Sequence, residues 1–227
     1  MITIIHGDDT SASRKFFTDK KGKDALPILG EKLTILDIKQ QGSSGGLFEA
    51  PVALFVEGFI ANSKPGKNLD EITSYLKQNS KDVDVYFWEK KELTKKQTSL
   101  FGTNVAVETF KIPQKTFGFL DNITPGNGKR NVELFHDALV GSSEELLFFM
   151  LIRQFRLLLA VSSNSPIDEV NRLAPWQKSK LLSQAKSFSP EQLKNIYRKL
   201  NDIDFAQKTG GLTMPLKETI DILLLEI

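Results

Sequence analysis

The hydrophobic pattern changes character halfway along the chain. In the first half, short apolar runs alternate with polar or amphipathic stretches. Ile2 to His6 is rich in β-formers and reads as a buried strand. A polar helix is expected from about Asp9 to Lys20, with Thr10 or Ser11 as its cap. Lys32 to Ile38 (KLTILDI) reads as a second strand, and the Gly/Ser-rich stretch Gln40 to Gly46 as a loop. Val52 to Val56 predicts a strongly apolar strand, and Asn68 to Gln78 places Leu69, Ile72 and Leu76 on one helical face. Val83 to Trp88 predicts a strand, Leu93 to Phe101 a helix, and Val105 to Phe110 a last strand. Strands that alternate with helices pair in parallel through crossovers, so an α/β sheet is expected.

Beyond Lys111 the pattern is helical throughout. Asn131 to Val140 is one helix. Glu144 to Val161 is the most apolar and predicts a central buried helix, interrupted by Arg153 and Arg156 at solvent-facing spacing. Pro166 lies near the start of a short helix, and Trp176 to Phe188 forms another. Ser189-Pro190-Glu191 supplies a cap with proline at the first helical position, and that helix should run to about Lys208, where Gly210 and Gly211 stop it. Met214 to Ile227 is the last helix. Two domains follow from this division: an α/β domain over 1–113 and an all-helical domain over 114–227.

Composition narrows the class. Thirty basic and twenty-eight acidic residues leave a net charge of +2, less lopsided than a dedicated nucleic-acid binder. The absence of cysteine excludes disulfides and thiolate metal sites and fits a reducing compartment. The first six residues lack the basic flank of a signal peptide, and no uncharged run reaches the ~18 residues of a spanning helix. A cytoplasmic protein without a membrane partner is expected.

A sheet that opens with strand, glycine and helix invites a test for nucleotide chemistry. A P-loop needs Gly, four residues, then Gly-Lys-Ser/Thr. Counting from Gly7 puts Ala12, Ser13 and Arg14 at those three positions, and Asp8 and Asp9 would repel a phosphate. The sheet is therefore a degenerate P-loop-like one without a phosphate loop. Gly42-Ser-Ser-Gly45-Gly46 lacks the strand and helix context of a dinucleotide fingerprint. His6 and His136 read as structural histidines. Glu144 and Glu145 suit a helix start, and Asp202 and Asp204 point to different helix faces. No catalytic residue, metal site or cofactor is expected. Lys90, Lys91, Lys95 and Lys96 gather near one helix start as candidate phosphate contacts, beside the plainer reading of a solvated basic face.

The helical half carries a resemblance. Pro175-Trp-Gln-Lys-Ser-Lys-Leu-Leu-Ser-Gln-Ala-Lys-Ser-Phe-Ser-Pro-Glu-Gln-Leu193, then Leu200-Asn-Asp-Ile-Asp204 through Lys208-Thr-Gly210, then Leu216, Ile220, Leu223 and Leu224, occur in an order and spacing similar to the collar domain of bacterial DNA polymerase III clamp-loader delta subunits. Upstream, Glu144 to Leu159 resembles the central apolar helix of that family. The match covers about residues 115 to 227. In the first half, Ile4-Ile5-His6-Gly7-Asp8-Asp9 is similar to the family's opening, and Gly46-Leu47-Phe48-Glu49-Ala50-Pro51 resembles a stretch in which a Leu-Phe pair precedes an apolar strand.

The resemblance implies a non-catalytic subunit that binds and helps open a sliding clamp during DNA replication. It implies that Leu47 and Phe48 enter the clamp's hydrophobic pocket, and that the helical domain assembles with ATP-hydrolysing loader subunits; DNA is a secondary partner. Family members usually carry a small helical lid domain between these two domains, and this chain has no room for one. The competing classes are a degenerate nucleotide-binding enzyme and a free-standing DNA-binding protein.

Overall fold

The computed structural model describes residues 1–22, 25–43, 53–163 and 167–227. The chain divides into two compact units, Met1–Ile112 and Pro113–Ile227.

The first unit is a five-stranded sheet. Its strands are β1 (Ile2–Gly7), β2 (Ile28–Leu29), β3 (Leu54–Glu57), β4 (Val85–Trp88) and β5 (Val105–Phe110). The order is β2-β3-β4-β1-β5 and every pairing is parallel. The helices are α1 (Thr10–Lys21), α2 (Ile35–Ser43), α3 (Lys67–Gln78) and the short α4 (Lys95–Thr98). Alternation along the strands sorts side chains to two faces. Ile2, Ile4, Leu54, Val56, Val85 and Phe87 share one core with Ile38, Ile72, Leu76 and Phe101. Ile5, Phe55 and Trp88 face the other way and pack on Phe17 of α1. On that second face the Arg14 guanidinium lies 4.6 Å from the Trp88 ring and pairs with Glu57 at 2.7 Å.

Three local expectations fail. Lys32–Ile38 is not a strand. A 3-10 turn over Gly30–Lys32 leads into α2, which continues through Ser43 where a loop was expected. The reason is a capping box: Thr34 N–H donates to the Asp37 carboxylate at 2.7 Å, and Asp37 N–H donates back to Thr34 Oγ1 at 3.4 Å. The cap of α1 is Asp9, not Thr10 or Ser11; its carboxylate accepts the Ala12 N–H at 2.9 Å. The helix expected over Leu93–Phe101 is only α4 followed by a 3-10 turn, Ser99–Phe101.

The second unit holds α5 (Gln114–Asn122), α6 (Gly128–Leu139), α7 (Glu144–Ser162), α8 (Asp168–Asn171), α9 (Pro175–Ala185), α10 (Pro190–Thr209) and α11 (Leu216–Glu226). No strand occurs among its described residues. Helix α7 is its axis, burying Leu147, Phe148, Leu151, Phe155 and Leu158 against α5, α6, α9, α10 and α11. Arg153 and Arg156 of α7 both pair with Glu169 of α8. Helix α10 starts on the expected Ser189 cap and ends at Gly210, whose φ of 71° is the left-handed conformation that glycine adopts without strain. Gly128 lets α6 meet α11: a Cβ there would lie 2.6 Å from the Leu225 carbonyl oxygen. Lys111 to Pro113 alone separate β5 from α5, so no further domain stands between sheet and helices.

Candidate functional site

In a parallel sheet, ligands gather beyond the carboxyl ends of the strands, where crossovers leave to opposite faces. Here that edge lies beyond Gly7, Trp88 and Phe110, and the chain itself fills it. Gly7 has φ 145°, and a Cβ on it would lie 1.8 Å from the Phe110 carbonyl oxygen. The Asp9 N–H donates to that oxygen at 3.1 Å. The Asp8 carboxylate accepts the Ile112 N–H at 2.8 Å. A helix N-terminus offers free N–H groups to an anion; on α1 the buried Asp9 carboxylate already takes that place.

Two buried titratable residues organise the same edge. His6 is 4% exposed. Its Nδ1 accepts the Leu93 N–H at 3.2 Å, and its Nε2 lies 3.3 Å from Thr109 Oγ1. A neutral ring with its proton on Nε2 satisfies both bonds. Burial lowers its pKa below the ordinary histidine value; nearby Glu92 opposes that shift and Lys111 adds to it. Glu89 directly follows β4 and is fully buried. Its carboxylate accepts the N–H groups of Ile60 at 2.6 Å and Ala61 at 3.1 Å, fixing the turn after β3. Burial raises its pKa, and these N–H donors hold the rise in check. Sequence reading assigned Glu89 no role; an acid directly behind the apolar run Val85–Trp88 was the signal available.

The segment that follows Glu89 carries the four candidate lysines. Lys90 and Lys91 follow Glu89, and Lys95 and Lys96 open α4; all four are exposed. None makes an ion pair among the described residues, whereas neighbouring Glu92 pairs with Lys111 at 2.8 Å. A capping box fixes α4: Gln97 N–H donates to Thr94 Oγ1 at 3.3 Å and Thr94 N–H to Gln97 Oε1 at 3.0 Å.

Leu47 and Phe48 lie outside the described residues. His136 joins α6 to α11 through Asp221 at 2.9 Å. Asp204 pairs with Lys208 within α10. Among the described residues no group of three His, Cys, Asp or Glu is placed to hold a metal ion, and no helix is long and apolar enough to cross a membrane.

No curated protein matches the chain in sequence. Among solved structures it is similar to the Bacillus subtilis DNA clamp loader delta protein, at 12% identity over 99% of this chain and 94% of that one, with a TM-score of 0.45. The family model for the DNA polymerase III delta subunit, C-terminal domain, matches residues 113–227. That span is the whole helical unit and just over half of the chain. The chain therefore belongs to the DNA polymerase III delta subunit family.

Proposed function

We propose that this protein is a non-catalytic clamp-loader subunit that binds a sliding clamp through Leu47 and Phe48 and helps to open it. The observation that carries the reading is the family match over Pro113–Ile227, on a unit that folds around its own core. The α/β unit supports the non-catalytic part. Its strand edge is taken by Asp8, Asp9 and the Phe110–Ile112 backbone, which leaves a phosphate facing carboxylates where it needs donors.

In this reading the helical unit assembles with ATP-hydrolysing loader subunits, which supply the energy. Leu47 and Phe48 follow a Gly/Ser-rich stretch and are adjacent in sequence, so a single strand or helix face does not readily bury both. As a wedge they shift a ring toward its open state by the difference in their affinity for its two states. With only Lys111 to Pro113 between sheet and helices, contacts with neighbouring subunits fall to these two units without a lid.

The test is binding of the purified protein to the sliding clamp from its own source, by calorimetry. Micromolar or tighter affinity, lost in a folded Leu47→Ala/Phe48→Ala variant, is the expected result. A folded wild-type protein that leaves the clamp unbound sinks the proposal.

A further inference from the structure

The chain between β4 and α4 is tied to the sheet through one histidine. Glu89 fixes its start: the Glu89 N–H donates to the Ile5 carbonyl at 2.8 Å, and the buried carboxylate holds the Ile60 and Ala61 N–H groups. The Thr94–Gln97 capping box fixes its end. Between those anchors the N–H groups of Lys90, Lys91 and Glu92 donate to no group among the described residues. The Leu93 N–H does, and its acceptor is Nδ1 of His6 at 3.2 Å. The Leu93 side chain follows inward, 7% exposed, into the core that holds Phe87 and Phe101.

This tie depends on a proton. An imidazole nitrogen accepts a hydrogen bond only while it carries no hydrogen, and the imidazolium donates from both nitrogens. With Nδ1 accepting from Leu93, the neutral ring carries its proton on Nε2, 3.3 Å from Thr109 Oγ1 on β5. A second proton must go to Nδ1, where it faces the Leu93 N–H, donor against donor at a buried site. The contact from Nε2 to Thr109 survives the change, as does the ladder that pairs β1 with β5. Nearby charges do not replace the lost bond. Glu92 favours the charged ring and Lys111 opposes it, and the two pair with each other at 2.8 Å. The Asp8 carboxylate is taken by the Ile112 N–H, that of Asp9 by Ala12, and that of Glu89 by Ile60 and Ala61. Lys90 and Lys91 are exposed.

We propose that His6 is a proton-operated latch on the segment between β4 and α4. Neutral, the ring holds residues 90–93 against the sheet. Protonated, it releases them and uncovers Leu93 while β1, β4 and β5 stay paired. The anchors limit the movement: Glu89 and the α4 capping box remain bonded on either side, so residues 90–93 move and the rest of the unit does not. The direction with pH follows from linkage. Burial holds the ring's pKa below 6.5 while the segment is closed, and opening returns it toward that value. Opening is therefore independent of pH above about 6.5, grows as pH falls below it, and levels off beneath the closed-state value. The latch belongs to the α/β unit alone and does not depend on Leu47, Phe48 or any partner.

The experiment is NMR on the full chain, which reads ring and backbone together. At about pH 7.5 the ring nitrogen shifts should show Nε2 protonated and Nδ1 bare. Amide hydrogen exchange, divided by the intrinsic rate at each pH, is then followed from about pH 7.5 to about pH 5. Protection of the Leu93 amide should fall roughly tenfold for each pH unit by which the closed-state pKa, read from the ring's own titration, lies below 6.5. The amides of β1 and β4 should keep their protection. His6→Asn, whose Oδ1 stands in the place of Nδ1 and does not titrate in this range, should keep the Leu93 amide protected throughout. Thr109→Val, which removes the partner of Nε2, should leave the pH response of Leu93 in place. A proton on Nδ1 at the upper pH, a Leu93 amide indifferent to the titration of His6, or equal loss of protection in β1 and β4 would overturn the latch. So would a Leu93 response that persists in His6→Asn. The wild-type measurements decide the matter even where that variant does not fold.

Discussion

Gln154 of α7 and Gln184 of α9 hydrogen-bond to each other inside the helical unit. Gln154 Nε2 donates to Gln184 Oε1 at 2.7 Å, and Gln184 Nε2 donates in turn to the carbonyls of Leu120 at 2.8 Å and Ile123 at 3.2 Å. One side chain thereby joins the central helix to the end of α5. Replacing Gln184 by leucine keeps the volume but strands the Gln154 amide and two carbonyls away from water. Urea denaturation should show a loss of about 2–3 kcal/mol. Lys180→Ala, which removes only the nearby exposed pair with Asp121, should cost under about 1 kcal/mol.

His6 should give the α/β unit an acid-side weakness. Its folded pKa lies below the ordinary value of 6.5, so the unfolded chain takes up the proton first as pH falls. Stability should then decline as pH drops through that value and level off below the folded pKa. Denaturation midpoints at about pH 7.5 and 5.5 should differ in the wild type, and His6→Gln should narrow the difference.

Glu89 works in the opposite sense. Its pKa is raised, so the folded state takes up a proton before the unfolded state does, and this residue's contribution to stability grows as pH falls toward 4.5. Glu89→Gln removes that limb and turns an amide NH2 toward one of the Ile60 and Ala61 N–H groups. Near neutral pH it should cost roughly 1–3 kcal/mol. It should also speed hydrogen exchange in the turn after β3, measured residue by residue.

Truncating the wedge should act on binding alone. Burial of a leucine or phenylalanine side chain is worth roughly 1.5–3 kcal/mol, so Leu47→Ala/Phe48→Ala should weaken clamp affinity roughly 100-fold or more. Its melting temperature should stay that of the wild type.

The closed strand edge predicts indifference to nucleotide. ATP with magnesium should leave the thermal midpoint unchanged, because a ligand stabilises only a state that binds it. Asp9→Ala should lower stability by about 0.5–2 kcal/mol through loss of the α1 cap.

Much of the fold was legible where one period ruled alone. Alternation in Val83 to Trp88 and Val105 to Phe110 gave strands, and Ser189-Pro190 marked the start of α10 within a residue. KLTILDI misled because Leu33, Ile35, Leu36 and Ile38 form a short dense apolar run, which periodicity alone does not assign to strand or helix. Burial of Leu33 and Ile38 with Leu36 exposed is the helical outcome, and Thr34-x-x-Asp37 was its readable sign. Helix α5 went unseen because Gly118 interrupts a nine-residue element, although Thr116, Phe119 and Leu120 have helical spacing. Asp9, Thr10 and Ser11 are three capping residues in a row, and only geometry chooses among them.

The site was less legible than the fold. The four lysines could be found from sequence, but not that both neighbouring acids were engaged. The partners of Glu89 lie 29 and 28 residues away, and those of His6 lie 87 and 103 away. Several are backbone groups, which leave no residue-type signature.

The contact between Gly7 and the Phe110 carbonyl bears on what this sequence can become. Opening room for a phosphate would require β5 to end elsewhere, Asp8 to release Ile112, and Asp9 to leave α1. Each change alone breaks a bond that holds the sheet and offers nothing in return until the others are made. Any single substitution toward a phosphate loop at this turn therefore meets a loss of stability before it gains a ligand, and the turn resists piecemeal change.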